Sequence, residues 1–321
     1  MEWFYIAMIG PFLYALTNHI DKVLLEKYFK QSGVGTLILF SSLLSVLALP
    51  ILYLIDPSVV EVGSTENFIT LAVLGLINVA VLWFYLEALM NEEASIAVVF
   101  YQLVPVFGLV LAYYILGEVV TKPELVAMAV IIVGASIVSF DLSSENKFAI
   151  RWRTVIFMTI AAFLWGLSSV IFKYVALEEE IWRTAFWEHL AMAVVGIFVF
   201  AFIKSYRKNF ILALKENSGP VLGLNVLNEV LYMIGNISFS YAYMLVPVSL
   251  VLLTQSFQPF FVIALGVLMV MVLPKFATEK LAGKFLGQKM AAITITALGT
   301  AILLFPEQAV VIYEKATDWL L

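Results

Sequence analysis

Apolar runs recur from one end of the chain to the other, interrupted by short clusters of charge, Pro and Gly. A bilayer core about 30 Å thick takes roughly twenty apolar residues as a helix, and cutting at those clusters predicts ten such spans. They lie near 3–25, 34–55, 68–90, 95–116, 124–140, 154–176, 182–203, 221–245, 249–273 and 288–305. Between spans 4 and 5, Thr121 and Glu124 have capping-box spacing, and Pro123 suits a first helical turn. The segment 306–321 mixes Glu307, Glu314, Lys315 and Asp318 with Val310, Ile312, Trp319 and Leu320. That pattern is too polar to span and suits an interfacial tail.

Composition narrows the class. Of 321 residues, 63% are hydrophobic and 13% charged, against about half and a quarter in a soluble domain. With mean hydropathy +1.02, the expected fold is an all-α polytopic membrane protein and the main partner is lipid. There is no Cys, which removes thiolate chemistry and disulfides. Two His, no His-Glu-x-x-His and no Cys argue against a metal site, an intramembrane enzyme or a cofactor. A net charge of −5 without a dense basic cluster argues against nucleic acid. The first apolar stretch lacks a basic leader and runs on into a full span, so it reads as a retained helix.

Positive charge falls unevenly between the two sets of loops. The connections after spans 1, 3, 5, 7 and 9 hold Lys27, Lys30, Lys147, Arg151, Arg153, Lys204, Arg207, Lys208, Lys215, Lys275, Lys280, Lys284 and Lys289. The other side holds Lys122, Arg183 and Lys315. The positive-inside rule then predicts a multi-pass cell-membrane protein with both termini outside.

The chain also resembles itself. Phe12-Leu-Tyr-Ala-Leu-Thr-Asn-His-Ile-Asp-Lys22 aligns with Phe163-Leu-Trp-Gly-Leu-Ser-Ser-Val-Ile-Phe-Lys173, Pro105 with Pro259, and Val133-Gly-Ala-Ser-Ile-Val-Ser-Phe140 with Leu298-Gly-Thr-Ala-Ile-Leu-Leu-Phe305. Each repeat contains five spans, an odd number, so the second must be inverted. The organisation predicted is a first repeat over 1–140, a linker over 141–153, a second repeat over 154–305 and the tail over 306–321. Loop charge agrees: connection 2–3 has no Lys or Arg where its counterpart 7–8 has four. Inverted repeats are a frequent architecture of secondary transporters, with the substrate site at the repeat interface.

The opening Phe163-Leu-Trp-Gly166, the Gln102-Leu-Val-Pro105, the Leu116-Gly117-Glu118 and the Gly-containing closing helices resemble the EamA family of the drug/metabolite transporter superfamily. The second repeat lacks the Gly-Glu after its fourth span. The resemblance implies a transporter of small organic metabolites.

Ionisable groups within spans are costly and normally face a cavity or a partner. Tyr14, Asn18 and Lys22 stack on one face of span 1, with Asp21 beside them, and Trp165, Ser169 and Lys173 repeat that spacing in span 6. The two Lys read either as gates or carboxylate ligands, or as groups snorkelling to the interface. Glu188 and His189 in span 7 and Glu87 at the end of span 3 are candidate gating partners, Glu188 for Lys173 and Glu87 for Lys22. Span 8 carries Asn225, Asn228, Glu229, Tyr232 and Asn236 as a continuous polar face, with Glu229 a candidate for proton or cation coupling. Tyr101 and Gln102, and Gln255 and Gln258, precede the two repeat prolines, where freed carbonyls suit a cavity wall. Trp83, Tyr85, Trp187 and Tyr241 are available as stacking surfaces. Small residues in spans 5 and 10 suit scaffold or weak dimer contacts, so the chain is expected as a monomer or weak homodimer.

The functional expectation is a secondary transporter of amino-acid-like or amphipathic solutes, in the export direction, working by alternating access. Two rivals stand beside it: a nucleotide-sugar or phosphorylated-sugar carrier, which needs paired cations in the cavity, and a non-transporting receptor or scaffold.

Overall fold

The computed structural model describes residues 2–30, 32–119, 122–138, 150–216, 218–272 and 283–305. Thr121 of the expected capping box, most of the linker 141–153, the Lys-rich stretch 274–282 and the tail 306–321 lie outside the described residues.

What is described is all-helical. In chain order it comprises α1 (Glu2–Val23, extended by a π turn over Leu24–Tyr28), α2 (Val34–Leu44), α3 (Ala48–Ile55), α4 (Thr65–Leu89), α5 (Ala94–Phe100), α6 (Leu103–Leu116) and α7 (Lys122–Val138). These are followed by α8 (Trp152–Glu179), α9 (Ile181–Phe202), α10 (Lys204–Glu216), α11 (Ser218–Leu245), α12 (Val248–Leu253), α13 (Gln258–Val272) and α14 (Gly283–Leu304).

Seven helical segments among the described residues are long and apolar enough to cross a membrane: Val34–Ile55, Thr65–Leu89, Ala94–Leu116, Trp152–Glu179, Ile181–Phe202, Ser218–Leu245 and Val248–Val272. The helix α7 is shorter, at 17 residues. Although α1 is 22 residues long, Thr17, Asn18, His19, Asp21 and Lys22 crowd its second half. Large apolar side chains such as Leu54 (81% exposed), Tyr114, Phe202 and Met271 cover the outside. Such an exterior suits hydrocarbon and would be a liability in water.

Three expected spans are broken, and each break comes just before a proline. In α5–α6 the irregular residues Tyr101 and Gln102 come just before Pro105, and between α12 and α13 the 3₁₀ turn Thr254–Phe257 comes just before Pro259. Proline lacks the N–H that would bond four residues back, and its ring crowds that carbonyl. The carbonyl freed by Pro259 belongs to Gln255, and it accepts a hydrogen bond from Gln102 Nε2 at 3.3 Å. The third break, the 3₁₀ turn Ser45–Leu47 between α2 and α3, comes just before Pro50, which has no N–H for the Val46 carbonyl four residues back. There Ser42 Oγ bonds back to the Ile38 carbonyl and Ser45 Oγ to Ser42 O at 2.7 Å, local side-chain bonds that compete with the helical ladder.

An additional helix, α10, occupies the basic connection after α9; its Lys204, Arg207, Lys208 and Lys215 lie beside a single buried residue, Ala213. Short connections are tied by caps. Asp56 accepts from Ser58 N at 2.9 Å and Ser58 Oγ at 3.0 Å, which holds its carboxyl below the usual carboxylate range. Gly117 ends α6 in the left-handed conformation (φ 70), and Glu118 N then reaches back to Ala112 O at 3.2 Å.

The core brings the two halves of the chain together. Helix α1 packs on α11 and α13, α4 on α8 and α9, α6 on α8, and α7 on α14. Several of these approaches need glycine. A Cβ on Gly166 would lie 3.0 Å from Gly108 N, so α8 and α6 touch backbone to backbone.

Candidate functional site

A cavity of about 100 Å³ lies between the two halves of the chain. By water-sized volume it has room for several waters. Tyr14, Thr17, Asn18 and Asp21 of α1, Ser41 of α2, Asn78, Leu82 and Tyr85 of α4 and Tyr101 of the α5–α6 break line it from the first half. Trp165, Ser168, Ser169 and Phe172 of α8, Glu188 and Met192 of α9, Asn228, Glu229, Tyr232, Asn236 and Tyr243 of α11, and Gln258 of α13 line it from the second.

An aromatic belt crosses this space. Tyr14 meets the edge of Trp165 with centroids 5.6 Å apart, and lies 5.6 Å from both Tyr232 and Phe239. Tyr101 meets Trp165 at 4.8 Å and Tyr85 at 5.6 Å. Gly235 makes room for the belt: a Cβ there would fall 2.8 Å from the Tyr14 ring.

On one side of the belt is a polar layer built on α1, α4, α11 and α13. Asn18 Nδ2 donates to Tyr85 Oη at 2.7 Å and its Oδ1 accepts from Gln258 Nε2 at 2.7 Å. Asn228 Nδ2 donates to Asp21 Oδ1 at 2.7 Å. Glu229, 3% exposed, lines the cavity on this side, and its Oε1 has no hydrogen-bond partner in the protein. A second polar layer lies on the other side. Ser168 Oγ donates to Asn78 Oδ1 at 2.5 Å, Asn78 Nδ2 donates to Glu188 Oε1 at 2.7 Å, and Glu188 Oε2 has no partner. Tyr243 Oη donates to Ser169 Oγ at 3.1 Å nearby.

Of the residues singled out from sequence, Tyr14, Asn18, Tyr101, Trp165, Ser169, Tyr232, Asn236, Gln258, Glu188 and Glu229 line this cavity. Six others do not. Lys22 Nζ donates to the Leu89 carbonyl at the end of α4 (2.8 Å) and pairs with Glu26 at 3.0 Å, one turn along its own helix. Lys173 Nζ donates to the Val246 carbonyl just after α11 (3.0 Å) and meets Glu118 at 3.4 Å. The expected pairs Lys173–Glu188 and Lys22–Glu87 are therefore absent. Each Lys is long enough to reach the last carbonyls of a neighbouring helix, where its charge meets the negative end of the dipole. Glu87 pairs instead with Arg153 at 2.5 Å. His189 Nδ1 donates to Ala185 O at 2.9 Å within α9, away from the cavity. Gln102 Nε2 is turned to the carbonyl that Pro259 frees, and the Gln255 side chain is fully buried without a hydrogen-bond partner in the protein.

Sequence reasoning passed over Asn78, Ser168 and Tyr243 and left Asp21 and Asn228 without a role. Asn78 was the hardest to see, because it is a single polar residue in an otherwise apolar run. It forms part of the lining only because α4 packs between α8 and α9. Glu118 has a role the motif alone did not reveal: Gly117 turns the chain so that Glu118 Oε1 takes both Lys173 and Val248 N (3.2 Å).

Comparison with known proteins places these features. Residues 1–140 match the EamA-like transporter family. A solved structure described only as "Crystal structure of protein" superposes with TM-score 0.50 and 16% identity, covering 94% of this chain and 98% of that one, a likeness of fold. Among curated proteins none matches the chain.

Proposed function

Because residues 1–140 match the EamA-like transporter family, we propose that this multi-pass membrane protein is a transporter of the drug/metabolite type that moves small organic solutes through the central cavity by alternating access. The two moving parts are inverted five-helix repeats, 1–140 and 154–305. The observation that carries the reading is the cavity itself, lined from both halves of the chain around an aromatic belt with a polar layer on each side.

Close packing between the halves supports the inverted repeat. A Cβ on Gly134 would meet Thr296 N at 3.0 Å and Ala292 O at 3.1 Å, and a Cβ on Gly299 would meet Ala127 O at 3.0 Å and Ile131 N at 3.2 Å. All these positions are related by the same shift of 165 residues, as a two-fold axis between α7 and α14 requires. The two Lys behave alike: Lys22 pins the end of α4 and Lys173 the end of α11, the third span of each repeat.

The substrate is an organic solute small enough for the cavity. Among the lining residues there is no Lys, Arg or His, which speaks against a nucleotide-sugar or phosphorylated-sugar carrier, whose phosphates need cations. Export is the direction we assign, and Glu229 is the coupling group. Counterflow of labelled solutes in proteoliposomes tests the proposal. Accumulation driven by a preloaded partner is expected, and Glu229→Gln is expected to remove its pH dependence. A protein that binds solutes and never moves them is a receptor, and that result would reject transport.

A further inference from the structure

The cavity holds carboxyl groups on both sides of the aromatic belt and no cation of its own. Asp21 lies seven residues beyond Tyr14, about 10 Å along α1. Its partner Asn228 stands next to Glu229. The other acid, Glu188, is reached through Ser168 and Asn78, on the opposite side. Helix α8 runs antiparallel to α1: α1 pairs Tyr14 and Asp21 with falling positions of α11, Gly235 and Asn228. In contrast α8 pairs Ser169 and Lys173 with rising ones, Tyr243 and Val246. Ser168 is thus displaced from the belt away from Asp21.

Buried carboxylates are normally paired, because taking one from water without a partner is expensive. Glu188 and Glu229 are each 3% exposed, and each has an oxygen with no partner in the protein. Lys22 and Lys173 do not neutralise them, being held at helix ends by Leu89 O with Glu26 and by Val246 O with Glu118. Between the acids are electron-rich ring faces, which attract an ammonium group.

We infer that the solute is a small organic cation bearing a protonated amine, held by Glu229 on one side of the belt and by Glu188 on the other, with the rings of Tyr14, Tyr101, Trp165 and Tyr232 as the surface it crosses. The inference rests on the transport reading of this cavity. Each carboxyl is a station: the ammonium takes the free oxygen that the protein leaves unbonded, while Asn78 holds the other oxygen of Glu188 in place. The belt admits the hydrocarbon body and gives an anion or a zwitterion's carboxylate no positive partner.

The test uses the full-length protein with 2-phenylethylammonium as probe, and 2-phenylethanol, phenylacetate and zwitterionic phenylalanine as matched neutral, anionic and zwitterionic compounds. By calorimetry in detergent the ammonium is expected to bind roughly tenfold or more tightly than each of the others, and Glu188→Gln or Glu229→Gln to weaken it by at least about tenfold. Equal or tighter binding of any of the other three, or no binding of the ammonium, overturns the inference. That panel needs only the wild-type protein, so a variant that fails to fold does not blunt it. Proteoliposome flux separates the two readings. Translocation of phenylalanine or the alcohol with the ammonium excluded overturns the cationic substrate and leaves transport standing. Tight, selective binding of the ammonium with none of the four moved supports the cation site and overturns transport.

Discussion

Lys173 shows how much one side chain holds. Its Nζ serves Val246 O and Glu118, and Glu118 also accepts from Val248 N, so a single charge joins the ends of α6, α8 and α11 to the start of α12. Both partners are largely buried (13% and 16% exposed side chains). Lys173→Met leaves Glu118 without a cation and should destabilise the protein by about 2–4 kcal/mol. Thermal melts in detergent check this, and the double variant with Glu118→Gln should recover part of the loss, since the stranded charge is then gone. Asn78 is a second such residue. Asn78→Ala removes the donor to Glu188 and the acceptor for Ser168, and should cost about 1–3 kcal/mol. Solute affinity should fall with it, since Glu188 loses its anchor; unchanged binding would separate Glu188 from the solute.

At the scale of the helix, glycines and prolines decide where elements end and how closely they approach. Gly117 sits at φ 70 with open space around its Cβ position, so Gly117→Ala carries only the left-handed penalty, about 1–2 kcal/mol. Its further effect is on Glu118, whose aim depends on that turn. Gly134 and Gly299 differ, because backbone atoms of the facing helix occupy the space at 3.0–3.2 Å. Substituting either by Leu should push α7 and α14 apart at a cost of about 1–3 kcal/mol, and the two should cost similar amounts because their surroundings repeat. A loss at one and none at the other, read from melting temperatures, would break the equivalence of the repeats. The helix positions themselves were legible in sequence: α4, α8 and α11 begin and end within a few residues of where apolar runs meet charge. The breaks at Tyr101 and Thr254 followed from Pro105 and Pro259, because a missing N–H acts locally. The helix α10 went unseen because its polar face reads as loop; the bend at Ser45 carries the same mark as the other two, since Pro50 frees the Val46 carbonyl.

For the whole molecule, charge asymmetry makes a statement about orientation that the fold alone does not contain. The chain has no Cys, so single reactive positions can be introduced at will. Lys208→Cys, in exposed α10, should react with an impermeant thiol reagent only after access to the cytoplasm, and Glu66→Cys, exposed at the start of α4, only from outside. The reverse pattern would invert the topology and make both termini cytoplasmic. Both ends of the α4–α8 pair are also clasped. Ser64 N and Asn67 Nδ2 donate to Glu179, at 2.8 and 2.9 Å, where α8 ends. Arg153 and Glu87 pair where α8 begins and α4 ends. Alternating access would require one clasp to part while the other holds, and Arg153→Ala should therefore shift accessibility toward the side it closes.

Hydropathy, loop charge and the self-similarity of the chain determined that this is a multi-pass helical protein, where its helices lie, and which residues repeat. Those properties depend on neighbours a few positions apart and on transfer from water to lipid, and both can be read along one strand of text. Most of the polar residues of the cavity stood out by their cost in the membrane; Asn78, Ser168 and Tyr243 did not. Which of them face one another was decided only by tertiary packing. Lys22 and Lys173 look like cavity residues by helical spacing, yet the carbonyl ends of α4 and α11 lie within their reach and the cavity does not. Asn78 looks incidental and becomes the support of Glu188 because α4 passes between α8 and α9. A side chain's partner comes from another helix tens to hundreds of residues away, and hydrogen bonding and charge pairing act through space within a few ångströms.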